Sequence, residues 1–151
     1  MKALGTLVAV PALTAALLVG VPGGAHAAPA ADYGKAAQKA TNARRAGHDL
    51  RTLRPDACLK RLAARHAARL AREEALYHQD LSVVMRRCDL SAAGENVAYG
   101  YPTGRAVVNR GWMRSPGHRA NILDARYRRG VVAARTSDDG TWYAVQLFGR
   151  R

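Results

Sequence analysis

Four serines, two cysteines, five histidines and three glutamates carry the nucleophilic, acid–base or metal-ligating side chains considered first in this 151-residue chain. Ser82, Ser91, Ser115 and Ser137 lie in no G-x-S-x-G elbow. Ser115, followed by Pro116, reads instead as a helix N-cap, with proline suited to the first helical position. No phosphate-cradling glycine loop and no dinucleotide fingerprint is present. Glu73 and Glu74 close an arginine-lined helix and read as partners for its charges. His66 falls on the apolar stripe of that helix and reads as a buried, hydrogen-bonded core residue, while His48 follows Gly47 in a turn and reads as exposed. Taken alone, these residues form no catalytic constellation.

The elements that must position them begin after a leader. Met1-Lys2 gives a short positive start, Ala3 to Val21 is an apolar run, and Ala25-His26-Ala27 is a small-residue cleavage site of the secretory type. Pro11 inside the run and the cleavage site favour a signal peptide over residues 1–27 rather than a retained anchor. The expected mature chain is 28–151, secreted to the medium or the cell envelope. Lys plus Arg number 24 against 11 Asp plus Glu, a formal charge of +13 that becomes +12 once Lys2 is removed. Hydrophobic residues at 48% exclude a disordered basic tail. Aromatic residues at 6%, not interleaved with the basic ones, give no stacking surface for nucleic acid. Anionic envelope polymers or lipid headgroups are the expected contacts of the charge. Export also bears on Cys58 and Cys88. An even pair in an oxidising compartment reads as one disulfide, closing a loop of about thirty residues worth about 3–4 kcal/mol in the chain-entropy account. Two buried thiols are the alternative, and a Cys–His pair is disfavoured by the second cysteine.

After a short Ala/Pro lead, Asp32 to about Ala46 reads as a first helix capped by Asp32 and stopped by Gly47. Residues 28–40 lead into and begin it. Pro55-Asp56 opens a stronger helix, on which Leu59, Leu62, Ala63, His66, Ala67, Leu70 and Ala71 form one stripe, with Arg61, Arg65, Arg69 and Arg72 on the other side. Thr103 begins another helix, and Ser115-Pro116 starts a short one through Ile122-Leu123. Val131 to Ala134 and Thr141 to Phe148 read as strands joined by a turn at Ser137-Asp138-Asp139-Gly140. Helices followed by a terminal hairpin indicate an α+β domain.

Three segments are more specific: Gly94-Glu95-Asn96-Val97-Ala98-Tyr99-Gly100-Tyr101, Trp112 through Leu123 with its S-P-G-H-R run at Ser115–Arg119, and Tyr143-Ala144-Val145-Gln146-Leu147-Phe148-Gly149. In this order and spacing they resemble the CAP superfamily of cysteine-rich secretory, antigen 5 and pathogenesis-related proteins, in its bacterial secreted, SCP-like form. The resemblance runs from about Thr41 to Phe148 and places the domain over 41–149. It implies an α-β-α sandwich, a small and mostly antiparallel sheet between helical layers. It also implies an open cleft lined by His and Glu, where some members hold a divalent cation, often zinc. His78 matches the histidine after the second helix, Glu95 the glutamate of the G-E-N motif, and His118 the histidine of the S-P-G-H-R motif. Asn96, Ser115, Asn121, Tyr143 and Gln146 are the expected supporting residues.

Animal and plant members have a second cleft histidine where this chain has Tyr143, and a second glutamate where it has Ser115. Val132 stands where the strand motif has a second glycine, and the loop between His78 and Glu95 is short. Two imidazoles and one carboxylate are the minimum kit for zinc or another divalent cation with an open position. His78, Glu95 and His118 are 17 and 23 residues apart, so only the fold can bring them together. Metal-activated water would need a base, but Glu95 would be spent as a ligand. The bland alternative has Glu95 accepting from backbone amides, Asn96 bracing its loop, and His118 bonding to the chain. The expected function is a monomeric, non-catalytic binding module for a small molecule, lipid or envelope component. A metal-dependent, peptidase-like hydrolase and a basic adhesive protein are the competing readings.

Overall fold

The structure is a computed structural model and describes residues 27–151. The leader and the sequence-level expectation of cleavage fall on residues that, apart from Ala27, lie outside it. The first helix, α1, spans Ala27–Ala46, and α2 spans Ala57–Glu73. They are followed by α3 (Leu81–Cys88), β1 (Ala92–Tyr99), α4 (Gly104–Ala106), α5 (Pro116–Leu123), β2 (Arg129–Thr136) and β3 (Trp142–Arg150). Between α4 and α5 the chain makes a π-helical turn over Val107–Gly111 and a 3-10 turn over Trp112–Arg114.

Helix α1 starts five residues earlier than its sequence suggests, and Asp32 lies inside it rather than capping it. Its alanine-rich start explains the extension, because Pro29 falls in the first turn, where a missing N–H costs nothing. Asp32 instead makes an exposed ion pair with Lys35 at 3.5 Å. Helix α2 begins as expected: the Asp56 carboxylate accepts from the amides of Cys58 at 2.9 Å and Leu59 at 3.1 Å. Its predicted stripe is buried except for the half-buried Leu62, and includes His66, whose Nε2 lies 2.9 Å from the Tyr77 carbonyl oxygen. The four arginines of the opposite side are exposed.

The segment between His78 and Glu95, expected as a short loop, contains α3, which Asp80 caps by accepting from the Ser82 amide at 2.8 Å. Cys58 and Cys88 form a disulfide with a Cα–Cα distance of 5.6 Å. It fastens the start of α2 to the end of α3.

The sheet has three antiparallel strands in the order β1-β3-β2. A lone parallel bridge, Arg54 to Arg129, accompanies it. Two apolar clusters lie on its two faces. Ala98, Ala134, Ala144 and Phe148 pack with Tyr33 and Ala37 of α1, with Val107, Val108 and Trp112, and with Ile122 of α5. Val97, Val131, Val145 and Leu147 pack with α2 and with Val84 and Cys88 of α3. This is the α-β-α sandwich. The central strand β3 is buried from Tyr143 to Gly149 because both its faces are covered.

Two glycines set the depth of packing. A Cβ on Gly104 would come within van der Waals overlap of the Tyr33 carbonyl oxygen, so α4 reaches α1 only without one. A Cβ on Gly34 would stand 2.7 Å from the carbonyl oxygen of Val132. Val132, where the resemblance expected glycine, is accommodated half-buried against the α1-side core.

The double replacement Cys58→Ser/Cys88→Ser is expected to lower unfolding free energy by about 3–4 kcal/mol. Urea titration of oxidised wild type against the variant measures this, and equal midpoints would exclude the disulfide as a source of stability.

Candidate functional site

Glu95 sits in the middle of β1 on the α2/α3 face, and its side chain is 0% exposed. A buried carboxylate needs hydrogen bonds on its oxygens. Oε1 takes His78 Nδ1 at 2.8 Å and the Gln79 backbone amide at 3.1 Å. Oε2 accepts from the Gln79 side-chain amide at 2.5 Å. All of these donors come from the link between α2 and α3, so the carboxylate clamps that link onto β1. Facing a carboxylate, Nδ1 is the donor, and in the neutral form of the ring Nε2 carries the lone pair. The His78 side chain is 59% exposed, so that lone pair belongs to an accessible ring.

Asn96, the next residue, points to the opposite face of the sheet. There it joins a polar network with little or no access to water. Its Nδ2 donates to Gln146 Oε1 at 3.1 Å and to the His118 carbonyl oxygen at 3.1 Å. Gln146 Nε2 donates to Thr41 Oγ1 of α1 at 2.8 Å. Asn121 Nδ2 donates to Asn96 Oδ1 at 2.9 Å and to the Glu95 carbonyl oxygen at 3.1 Å. The network thus fixes α5, and with it His118, against the outer edge of β1. The His118 ring is half-buried, and its pKa lies below the usual histidine value. Burial is the larger cause and the charge of His78 the second.

The family model of the cysteine-rich secretory proteins, CAP, matches residues 38–148. The chain belongs to this family. Over 125 residues it is 29% identical to protein YkwD of Bacillus subtilis (strain 168), covering 78% of this chain and 48% of that protein. It therefore spans about half the length of the curated relative it matches. Among solved structures, an extracellular protein of Bacillus anthracis containing an SCP domain matches at TM-score 0.68 and 25% identity, over 79% of this chain and 40% of that one. An outer surface protein of Borrelia burgdorferi shares the fold at TM-score 0.70 and 21% identity, over 78% of this chain and 91% of that one.

In this CAP domain, His78 and Glu95 are in direct contact, and the His118 backbone is linked to β1 through the Asn96–Asn121 network. Among the described residues no three His, Cys, Asp or Glu side chains form a group that could hold a metal ion. As placed, the expected set of two histidines and one glutamate does not fit a three-ligand centre. Both Glu95 oxygens are already turned to His78 and Gln79. Ser115 occupies the N-cap position of α5, but its hydroxyl makes no capping bond. Tyr143 pairs with Tyr99 in register, four residues along β1 from Glu95, and stacks on it at 5.7 Å. By strand rise that separation is about 13 Å, so Tyr143 supports the far end of the strand rather than the carboxylate.

Gln79 and Thr41 act in the site although neither stood out in the sequence as a site residue. Gln79 carried no pattern beyond adjacency to His78, and Thr41 looks like any polar position on a helix. A third, Arg45, is fully buried. It donates to the carbonyl oxygens of Arg51, Ile122, Asp124 and Tyr127, tying α1 to the chain that leaves α5. Its charge is offset by carbonyl dipoles, and burial lowers its pKa, with Arg128 adding to that effect and Asp124 opposing it.

Replacing Gln146 by Leu strips partners from Asn96 and Thr41 inside the core. It is expected to cost about 3 kcal/mol in urea unfolding, because orphaned buried groups carry their desolvation penalty. For His118 the sign is set by a folded-state pKa below the unfolded one. Its contribution to stability is complete above about pH 6.5 and is lost as pH falls below that. NMR titration should place its midpoint under the ordinary value. His78→Ala should raise it part of the way, since burial persists. A midpoint unmoved by His78→Ala would separate the two imidazoles.

Proposed function

We propose that this CAP domain works outside the cell as a binding module rather than a hydrolase. Its cleft presents two imidazoles, His78 and His118, over a carboxylate that is structurally committed. One observation carries this reading: the Glu95 side chain is 0% exposed, with both of its oxygens turned to donors from His78 and Gln79 and away from water. A general base needs a carboxylate oxygen free to approach the water it deprotonates. Glu95 instead orients the His78 ring, the role of an outer-shell carboxylate behind a ligating histidine. What remains for a visitor is the His78 Nε2 lone pair and the half-buried His118 ring, two nitrogen donors that suit a small ligand or a borderline cation such as zinc. The extracellular assignment draws on the B. anthracis relative, which is an extracellular protein. It is compatible with the described helices, none of which is long and apolar enough to cross a membrane.

Zinc titration by calorimetry tests the cleft on the purified protein. Wild type should bind, and His78→Ala and His118→Ala should each abolish the heat. Glu95→Gln should weaken affinity about 10–100-fold without abolishing it, the usual effect of an outer-shell change. Affinity equal in all four proteins would remove the cleft from the function. Chelator-sensitive peptide hydrolysis lost in Glu95→Gln would establish the hydrolase reading instead.

A further inference from the structure

A groove of about 290 Å³ runs between α2 and α3. Arg65 and Arg69 of α2 and Arg87 of α3 line it, with Leu62 and Val83 among its apolar residues. Among the described residues none of these three guanidinium groups takes part in an ion pair. Asp80, the one acid lining the groove, caps α3 and accepts from the Ser82 amide at 2.8 Å. Glu73, at the end of α2, is held by Arg72 at 3.3 Å and by the Tyr77 hydroxyl at 2.5 Å. Arginines four apart on one helix repel each other, and Arg87 adds a third charge from the facing helix. The Cys58–Cys88 disulfide fixes α3 beside α2 in spite of that repulsion. The groove thus gathers more positive charge than its single carboxylate offsets. A phosphate fits as the missing counter-charge, because each guanidinium presents paired N–H donors to its oxygens.

A second feature adjoins the first. Leu76 and Tyr77, on the link between α2 and α3, are 43% and 37% exposed, two of the three large apolar side chains that stand in water among the described residues. The Tyr77 ring packs edge-on against His66, which lines the groove, with ring centres 5.3 Å apart. The apolar pair therefore stands at the rim of the basic groove. A soluble phosphate ester or an acidic polymer would neutralise the arginines and leave Leu76 and Tyr77 in water. A lipid surface meets both needs, with phosphates at the headgroups and an apolar layer just beneath for an aromatic and an aliphatic side chain.

We infer that this face docks on a membrane carrying anionic lipids: a headgroup phosphate seats between Arg65, Arg69 and Arg87 while Leu76 and Tyr77 enter the interface. His78 and His118 do not line the groove, so its test is independent of the cleft. Vesicles of phosphatidylcholine with phosphatidylglycerol should sediment the protein at low salt, and less of it as salt rises. Vesicles of phosphatidylcholine alone should not. Arg69→Gln and Arg87→Gln should each weaken binding about fivefold, the effect of one basic side chain near an anionic surface. Arg105→Gln, the same charge change in the layer across the sheet, should alter binding far less. Leu76→Trp should gain a blue-shifted emission on adding the anionic vesicles, and glycerol phosphate should produce no such shift. Failure to sediment with the anionic vesicles overturns the proposal. Equal losses in the three arginine variants do so too, because net charge alone would then explain the binding. An unshifted Leu76→Trp emission on bound vesicles also overturns it. Glycerol phosphate or a soluble polyphosphate bound through Arg69 and Arg87, with vesicles left unbound, would assign the groove to a soluble anion instead.

Discussion

The hydrogen bond between Asn96 and Gln146 is the constraint from which the rest of the architecture follows. It joins β1 to β3 on the side of the sheet facing α1, where both side chains are fully buried. Neither amide can be satisfied by its partner alone. The remaining donors and acceptors are therefore met by Thr41 from α1, by Asn121 and by the carbonyl of His118 from α5. Apolar packing by itself would let α5 slide along the sheet, because dispersion is non-directional. A directional network with a high penalty for broken members sets one position. The depth at which His118 stands against β1 is thus decided on the opposite face of the strand from Glu95.

Adjacent residues with opposite directions make this economical. Glu95 reaches toward the link between α2 and α3, and Asn96 reaches toward α1 and α5. Strand alternation sends one polar side chain into each layer. Because β1 is an edge strand, the two layers meet around its outer rim, with His78 bonded to Glu95 on the α2–α3 side and the His118 backbone bonded to Asn96 on the α5 side. The disulfide at the ends of α2 and α3 works on the same link from the other side, holding the helix pair that carries His78 and Gln79.

The chain departs from the animal and plant CAP pattern in a way the structure explains. With Tyr143 in place of a second histidine, that position belongs to an aromatic stack with Tyr99 and not to a polar rim. With Ser115 in place of a second glutamate, the residue only starts a helix. The carboxylate that remains takes its hydrogen bonds from the amide groups of Gln79 and the ring of His78.

The sequence by itself determined the two strongly patterned parts. The stripe of α2 and its Asp56 cap were legible because a helix buried on one side repeats every three to four residues. The β2–β3 pair was legible from its period and its Asp-Asp-Gly turn. The three motif blocks pointed to the family and contain Glu95 and His118, and the resemblance they carry added His78. Strand β1 was not legible as a strand, since it carries Glu-Asn at its centre and is buried on both faces, which erases alternation. Helix α3 was hidden because eight residues give too few repeats for a period. The start of α1 was masked by proline, whose effect depends on its position within a turn. Only the tertiary structure decided that Glu95 supports His78 and that Gln79 and Thr41 belong to the site. The physical reason is common to both. Hydrogen-bond partners separated by tens of residues have no signature in local spacing, because their pairing is fixed by strand order and helix docking.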